Sequence, residues 1–370
     1  MRVDQVDARD RRALARFVRL ERELLGHHPL YVAPLDVDVR KQLSGKSASS
    51  VDSELALFLL SDGEGQPVGR AVAYVNRRWQ AHHGEAAGFI GHLAFSDELD
   101  GVSVHGLFDA AEAWLRDRKV SRVIAPVNGA VQNGASLLTA DFDLEPMFPQ
   151  PWHPPGWAAL MEGAGYLPRY PVMIYHIDFS SEAYRTVSRR AVETAQCQVR
   201  AVDKKNWKRE IARLTDLFNA GYRDEWEYCP TTVDEFLEAF GPLKPIANPN
   251  TILFAEVDGQ AVGFAVGFPD LTSIIRSFNG KLGPLKVLKL LREGKRPPRR
   301  GLILVAIDPD HRGKRIGQAL CAKLFRYYES IGLNAALYYP VNEGNMGSRR
   351  LAESFGGTGR TAYTVYDKTL

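Results

Sequence analysis

The chain of 370 residues runs through one order of elements twice. Val3-Asp4-Gln5-Val6-Asp7 is echoed by Val199-Arg200-Ala201-Val202-Asp203, 196 positions later. A hairpin follows in each half: 55–60, a turn at Ser61-Asp62-Gly63 and 68–75; then 252–257, a turn at Asp258-Gly259 and 261–268. Next come an apolar buried strand (88–95; 302–307), an amphipathic helix (104–118; 316–330) and a short strand (122–127; 335–341). Each half then closes a helix on glycine (Gly165-Tyr166; Gly356-Gly357) and adds a last strand (173–178; 362–368). Strands alternating with helices predict an α/β (α+β) fold, and the repeat predicts it in duplicate. The expected division is 1–180, a helical connector at 181–195, and 196–370, a length that suffices for two cores.

The chemistry concentrates in 301–320, GLILVAIDPDHRGKRIGQAL. Asp308-Pro309-Asp310 ends a strand, and Arg312-Gly313-Lys314-Arg315-Ile316-Gly317 leads into a helix. Such a loop converges backbone N–H groups on an anion; the helix dipole favours it and neighbouring cations neutralise it. The Gly-x-x-x-x-Gly-Lys-Ser/Thr of nucleotide hydrolases is absent. The first half has Ser96-Asp97-Glu98-Leu99-Asp100-Gly101-Val102 at the same place, an acidic loop that repels phosphate. A phosphate-bearing donor is therefore expected on the second half alone.

Arg312 and Gly317, after a strand that ends at proline, resemble the pyrophosphate loop of the GCN5-related N-acetyltransferases (GNAT), Arg/Gln-x-x-Gly-x-Gly/Ala. The resemblance implies two tandem GNAT-fold domains, each a mixed twisted sheet flanked by helices, the first degenerate. It implies acetyl-CoA or another acyl-CoA as donor, held by Ile307, Arg312, Gly313, Lys314, Arg315, Ile316, Gly317 and Asn345. The donor arm would lie between strands 302–307 and 335–341, with a backbone N–H near Ile307 facing the acyl oxygen. Arg315 stands where the first glycine belongs, so the loop keeps its shape without strain only if φ there is negative. The tyrosine acid seven residues after the family's asparagine is replaced by Ala352. Tyr338 and Tyr339 are the candidate acids and Glu343 and Glu227, with Glu225 beside it, the candidate bases. Singly, each also reads as a sheet aromatic or a surface charge.

The net charge of +3 conceals eleven basic residues against three acids between Lys281 and Arg315. The helix-like 285–292, followed by Lys295, Arg296, Arg299 and Arg300, suits an RNA backbone, which makes aminoacyl-tRNA the alternative donor. Similar tandem folds serve the Fem-type and leucyl/phenylalanyl-tRNA–protein transferases. A non-catalytic acyl-CoA or nucleic-acid sensor is a third class. Three scattered cysteines and the adjacent pairs His27-His28 and His82-His83, which cannot share a helix face, give no metal spacing. No apolar run is long enough to span a bilayer and no signal core opens the chain, so a cytoplasmic protein without a membrane partner is expected. The expected acceptor is the amine of a small molecule, in specialised metabolism. Asn128, Asn133 and the aromatic, proline-rich 148–157 either line its pocket or plug a domain interface.

Overall fold

A computed structural model describes every residue except Arg296, and Val192 by its backbone alone. In chain order the first elements are β1 (Arg2–Val6), α1 (Arg11–Leu25), α2 (Asp36–Leu43), β2 (Ser53–Ser61), β3 (Pro67–Asn76), α3 (Arg77–His83) and β4 (Ala87–Phe95). They continue with α4 (Gly101–Arg116), β5 (Arg122–Ala125), β6 (Leu137–Leu138), α5 (Trp157–Gly163) and β7 (Leu167–Asp178). There follow α6 (Glu182–Glu193), β8 (Gln198–Ala201), α7 (Trp207–Tyr222), α8 (Val233–Phe240), β9 (Ile252–Val257), β10 (Gln260–Pro269), α9 (Thr272–Phe278) and α10 (Pro284–Glu293). The chain ends with β11 (Arg300–Ile307), α11 (Ile316–Ser330), β12 (Ala335–Asn342), α12 (Met346–Ser354) and β13 (Thr358–Thr369).

Local chemistry sets these limits. Asp10 caps α1 by accepting from the N–H groups of Arg12 and Ala13, and Leu14, Phe17, Val18 and Leu25 form its buried stripe. The β9–β10 hairpin turns on Asp258 (φ 50°) and Gly259 (φ 77°), the left-handed pair that matches strand twist. A reciprocal Thr232–Glu235 capping box starts α8. In α11, Ile316, Leu320 and Leu324 are all buried, as their spacing requires.

The chain forms two compact units, neither of which is one half of it. The first comprises residues 1–171, 271–287 and 362–370; the second, 172–270 and 288–361. In the first the strands run β1-β2-β3-β4-β5-β13, with β6 also on β13; β4–β5 is parallel and the other pairs antiparallel. In the second they run β7-β12-β11-β10-β9-β8, with β11–β12 parallel and the rest antiparallel. Each unit is thus a mixed α/β sheet of the duplicated order. The strand expected to close each half, however, pairs in the other unit: 172–178 with β12, and 366–369 with β5. The segment 181–195 is also more than a connector, because α6 places Tyr184 and Ala191 in the core of the second unit.

Candidate active site

In the second unit β11 and β12 pair only at Gly301–Leu337 and Leu302–Tyr338. Beyond that point they part, and β12 shifts register against β7 between Tyr338 and Val341. Pro340, with no N–H to give, sits in the shift. The expected slot is therefore confined to residues after Leu302 and Tyr338. Along β11, Asp308 N donates to Val262 O on the β10 side, so strand alternation turns the backbone groups of Val305 and Ile307 toward the gap. The Tyr222 hydroxyl donates to Val305 O at 3.2 Å, in keeping with that direction.

The loop after β11 is exposed from Arg312 to Arg315. Gly313 has φ 80° and Arg315 φ 60°. The condition set for Arg315 is not met, since φ is positive: the backbone keeps the glycine conformation and the arginine carries the left-handed strain. Arg315 is also the N-cap of α11 and gives it no side-chain hydrogen bond. The first-turn N–H groups, Gly317 among them, thus lie beside Arg312, Lys314 and Arg315 with no capping side chain. Arg312 is steadied by donating from Nη2 to Gly221 O at 2.7 Å. Gly317 serves packing too, because a Cβ there would lie 3.2 Å from Leu351 Cδ2.

Glu227 follows α7 and is half-buried. Burial pushes its carboxyl up to about 7; Glu225 adds to the rise, and a hydrogen bond from Asn342 opposes it. Asn342 Nδ2 donates to Glu227 Oε2 at 3.1 Å, while its Oδ1 accepts from Gly344 N at 2.8 Å. Glu225 is itself raised by burial. The Tyr222 hydroxyl is raised by burial and then by the charge of Glu227. One raised carboxyl thus stands where β11 and β12 part, fixed through Asn342 to one strand and facing a tyrosine bonded to the other.

Of the remaining candidates, Tyr338 and Tyr339 lie at the parting itself and Glu343 follows Asn342. Glu343 is half-exposed just past β12, where its carbonyl accepts from Arg349 Nη1 at 3.2 Å. Tyr338 is buried, its hydroxyl against Ser348 Oγ and raised well above the usual range by burial; Tyr339 is buried as well. Asn345 is the cap of α12, accepting from Ser348 N at 2.9 Å. Ala352 is wholly buried. Among the four basic residues read as an RNA surface, Lys295 is exposed and Arg296 lies outside the described residues. Arg299 donates from Nε to Asp270 Oδ2 at 2.7 Å, and Arg300 is 4% exposed with Nη2 on Lys295 O. Arg300 is thus buried and half-exposed Arg299 is tied to a buried carboxylate, a fate that charge counting along a sequence cannot see.

The first unit repeats the parallel pair, Ala87–Phe89 on Arg122–Ile124, but its gap is closed. Val127 N donates to Ile90 O at 2.9 Å and His92 N to Asn128 Oδ1 at 2.7 Å. A Cβ on Gly91 would lie 2.4 Å from Asn128 Oδ1. Asn128 and Asn133 tie this loop together, each donating to the other's carbonyl, instead of facing a pocket. Asp100 caps α4 by accepting from Ser103 N at 2.8 Å, so a carboxylate already fills the anion position. The aromatic loop folds inward in the same unit: Trp152, His153 and Trp157 are buried, with Trp152 Nε1 on Phe142 O and His153 Nδ1 accepting from Leu138 N. His27 and His28 lie in turns after α1, not on a helix, so the helix-face argument does not apply to them. Both approach Asp97 Oδ2, at 2.9 and 3.0 Å, as a largely exposed imidazole–carboxylate cluster. Among the described residues no helix is long and apolar enough to cross a membrane.

The family model described as Acetyltransferase (GNAT) family matches residues 211–356, which contain the donor loop, Glu227 and Asn342. A bacterial ceramide synthase of Caulobacter vibrioides is 29% identical over 367 residues, 96% of this chain and 95% of that protein. Protein YghO of Escherichia coli K12 is 25% identical over 368 residues, 96% and 93%. Among solved structures, a tandem GNAT protein from the clavulanic acid biosynthesis pathway aligns over 100% of this chain and 98% of its own, with TM-score 0.56 and 12% identity. A probable N-acyltransferase of Enterococcus faecalis V583 also gives 0.56, at 11% identity, covering 100% and 72%. At such identities the structures speak to fold alone.

Proposed function

We propose, from the premise that this chain belongs to the GNAT superfamily, that it is an N-acyltransferase moving a fatty acyl group from acyl-CoA to the amine of a long-chain amino alcohol. The observation that carries the transfer is Glu227, a carboxyl raised to about 7 at the parting of β11 and β12. A base with its midpoint near working pH accepts a proton readily and returns it readily. In the step, the amine nitrogen attacks the thioester carbon. The C–N bond forms, the C–S bond breaks, the amine proton passes to Glu227, and the sulfur leaves as a thiol once protonated. The N–H groups of Val305 and Ile307 face the gap and suit the oxygen on which charge develops.

The donor supplies an activated acyl carbon on a pyrophosphate-bearing carrier. The uncapped start of α11 with Arg312, Lys314 and Arg315 fits those phosphates, whereas the capped start of α4 does not. Acyl-CoA is favoured over aminoacyl-tRNA because Arg300 is buried and Arg299 is already paired with the buried Asp270. The long-chain acceptor is supported by likeness, over nearly the whole chain, to a protein called a bacterial ceramide synthase, a name for a maker of fatty amides.

The test is a mass-spectrometric assay of purified protein with acyl-CoAs of rising chain length against a long-chain amino alcohol, a short polar amine and charged tRNA. Amide formed with the long-chain amine and matched by free CoA supports the reading. Acylation of the short amine alone overturns the acceptor, and transfer from tRNA alone overturns the donor.

A further inference from the structure

An amphipathic helix on a globular protein ordinarily buries one stripe, yet α10 contains no buried residue. Leu285 is 82% exposed and Leu288, three residues on and on the same face, 62%; Leu282, just before the helix, is 44% exposed. Isolated surface leucines need no explanation, but a group of three within seven residues does. Cations surround them: 281–295 holds five Lys and Arg against the single acid Glu293. Lys286 turns back to the Phe278 carbonyl and Lys289 reaches Glu293, while Lys281, Arg292 and Lys295 are exposed. Lys295 adds its charge to Lys244 near Lys204, whose ammonium is disfavoured by burial and then by those two cations. The concentration of positive charge thus extends past the helix.

We propose that α10 is a membrane-surface anchor, its leucines entering the interface of a bilayer and its cations meeting anionic headgroups. With ten residues the helix is too short to cross and suits lying in the plane. Apolar burial and headgroup attraction then act together, and the stem of Arg292, four residues after Leu288, can lie along the apolar face with its guanidinium in water. An RNA backbone would use the cations and leave the leucines in water, so the exposed leucines favour lipid. This reverses the expectation of no membrane partner, which rested on the lack of a spanning segment. The inference stands apart from the transfer reaction, because vesicle binding is read without turnover.

The test is flotation of the full-length protein with vesicles of phosphatidylcholine alone, or of phosphatidylcholine with phosphatidylglycerol, beside a gel shift with bulk tRNA. The protein should float with the anionic vesicles only, and less as salt rises. Leu285→Ser with Leu288→Ser should weaken that binding on the order of tenfold or more, with an unchanged melting curve. Lys281→Glu with Arg292→Glu and Lys295→Glu should abolish it. The proposal fails if anionic vesicles do not carry the protein, or if they carry the double-serine variant as well as wild type. A tRNA shift that needs the cations and ignores the leucines, without flotation, would make this face a nucleic-acid surface instead.

Discussion

Burial works on Glu227 in two ways that can be measured separately. Its raised midpoint means that the carboxylate is present above about 7 and scarce below it, so kcat/KM should rise with pH through that value. Glu227→Gln should lower turnover about a hundredfold or more and remove this acid limb; a wild-type pH profile in that variant would leave solvent as the base. Asn342 favours the ionised carboxyl by donating to it, so Asn342→Ala should move the acid limb to higher pH while the fold is kept. Stability has the opposite slope. Between the unfolded midpoint of 4.5 and the folded one of about 7, the native state holds the extra proton, and stability is lost as pH rises. Glu227→Gln should therefore raise Tm at pH 8 and change it little near pH 5, as calorimetry would show. Glu227 is visible in the sequence only as one acid among several. Asn342, 115 residues away, and Tyr222 carry no local mark, because what selects them is proximity created by folding.

Two helix starts show how a copied element gains or loses an anion site. In α11 the cap is Arg315, with no acceptor to offer; in α4 it is Asp100, which accepts from Ser103. Arg312→Ala with Lys314→Ala should raise KM for acyl-CoA about tenfold or more at low salt while kcat is nearly unchanged, the mark of lost uniform binding. Asp100→Ala should lower stability by about 1 kcal/mol with no effect on that KM. Arg315→Gly should stabilise by about 1 kcal/mol by relieving the left-handed backbone, and weaken donor binding by removing a cation. A thermal melt beside a donor titration separates the two effects. The elements were legible because glycine, proline and apolar period mark them locally: 252–257 and 316–330 coincide with β9 and α11. The sign of φ at Arg315 was not, since residue type biases a backbone that the loop's surroundings then fix.

The duplication sets the plan of the whole molecule, but the units do not follow the halves. The repeat reveals every strand but the two-residue β6 and conceals which sheet the closing strands enter, because an apolar alternating segment fits either copy equally well. Fragments 1–180 and 196–370, made separately, should each fail to melt cooperatively, since the first lacks the strand that pairs with β5 and the second the strand that pairs with β12. Mixing them should restore more structure than either has alone, followed by circular dichroism. A cooperative melt from the isolated 1–180 fragment would show the pairing to be dispensable. The same exchange fixes when the protein can form. A ribosome delivers residues 1–171 long before 362–370, yet both belong to one unit. The segment made first must wait, its β5 edge open, until residues 366–369 emerge, so a stop codon placed before them would strike the part of the protein that was synthesised first.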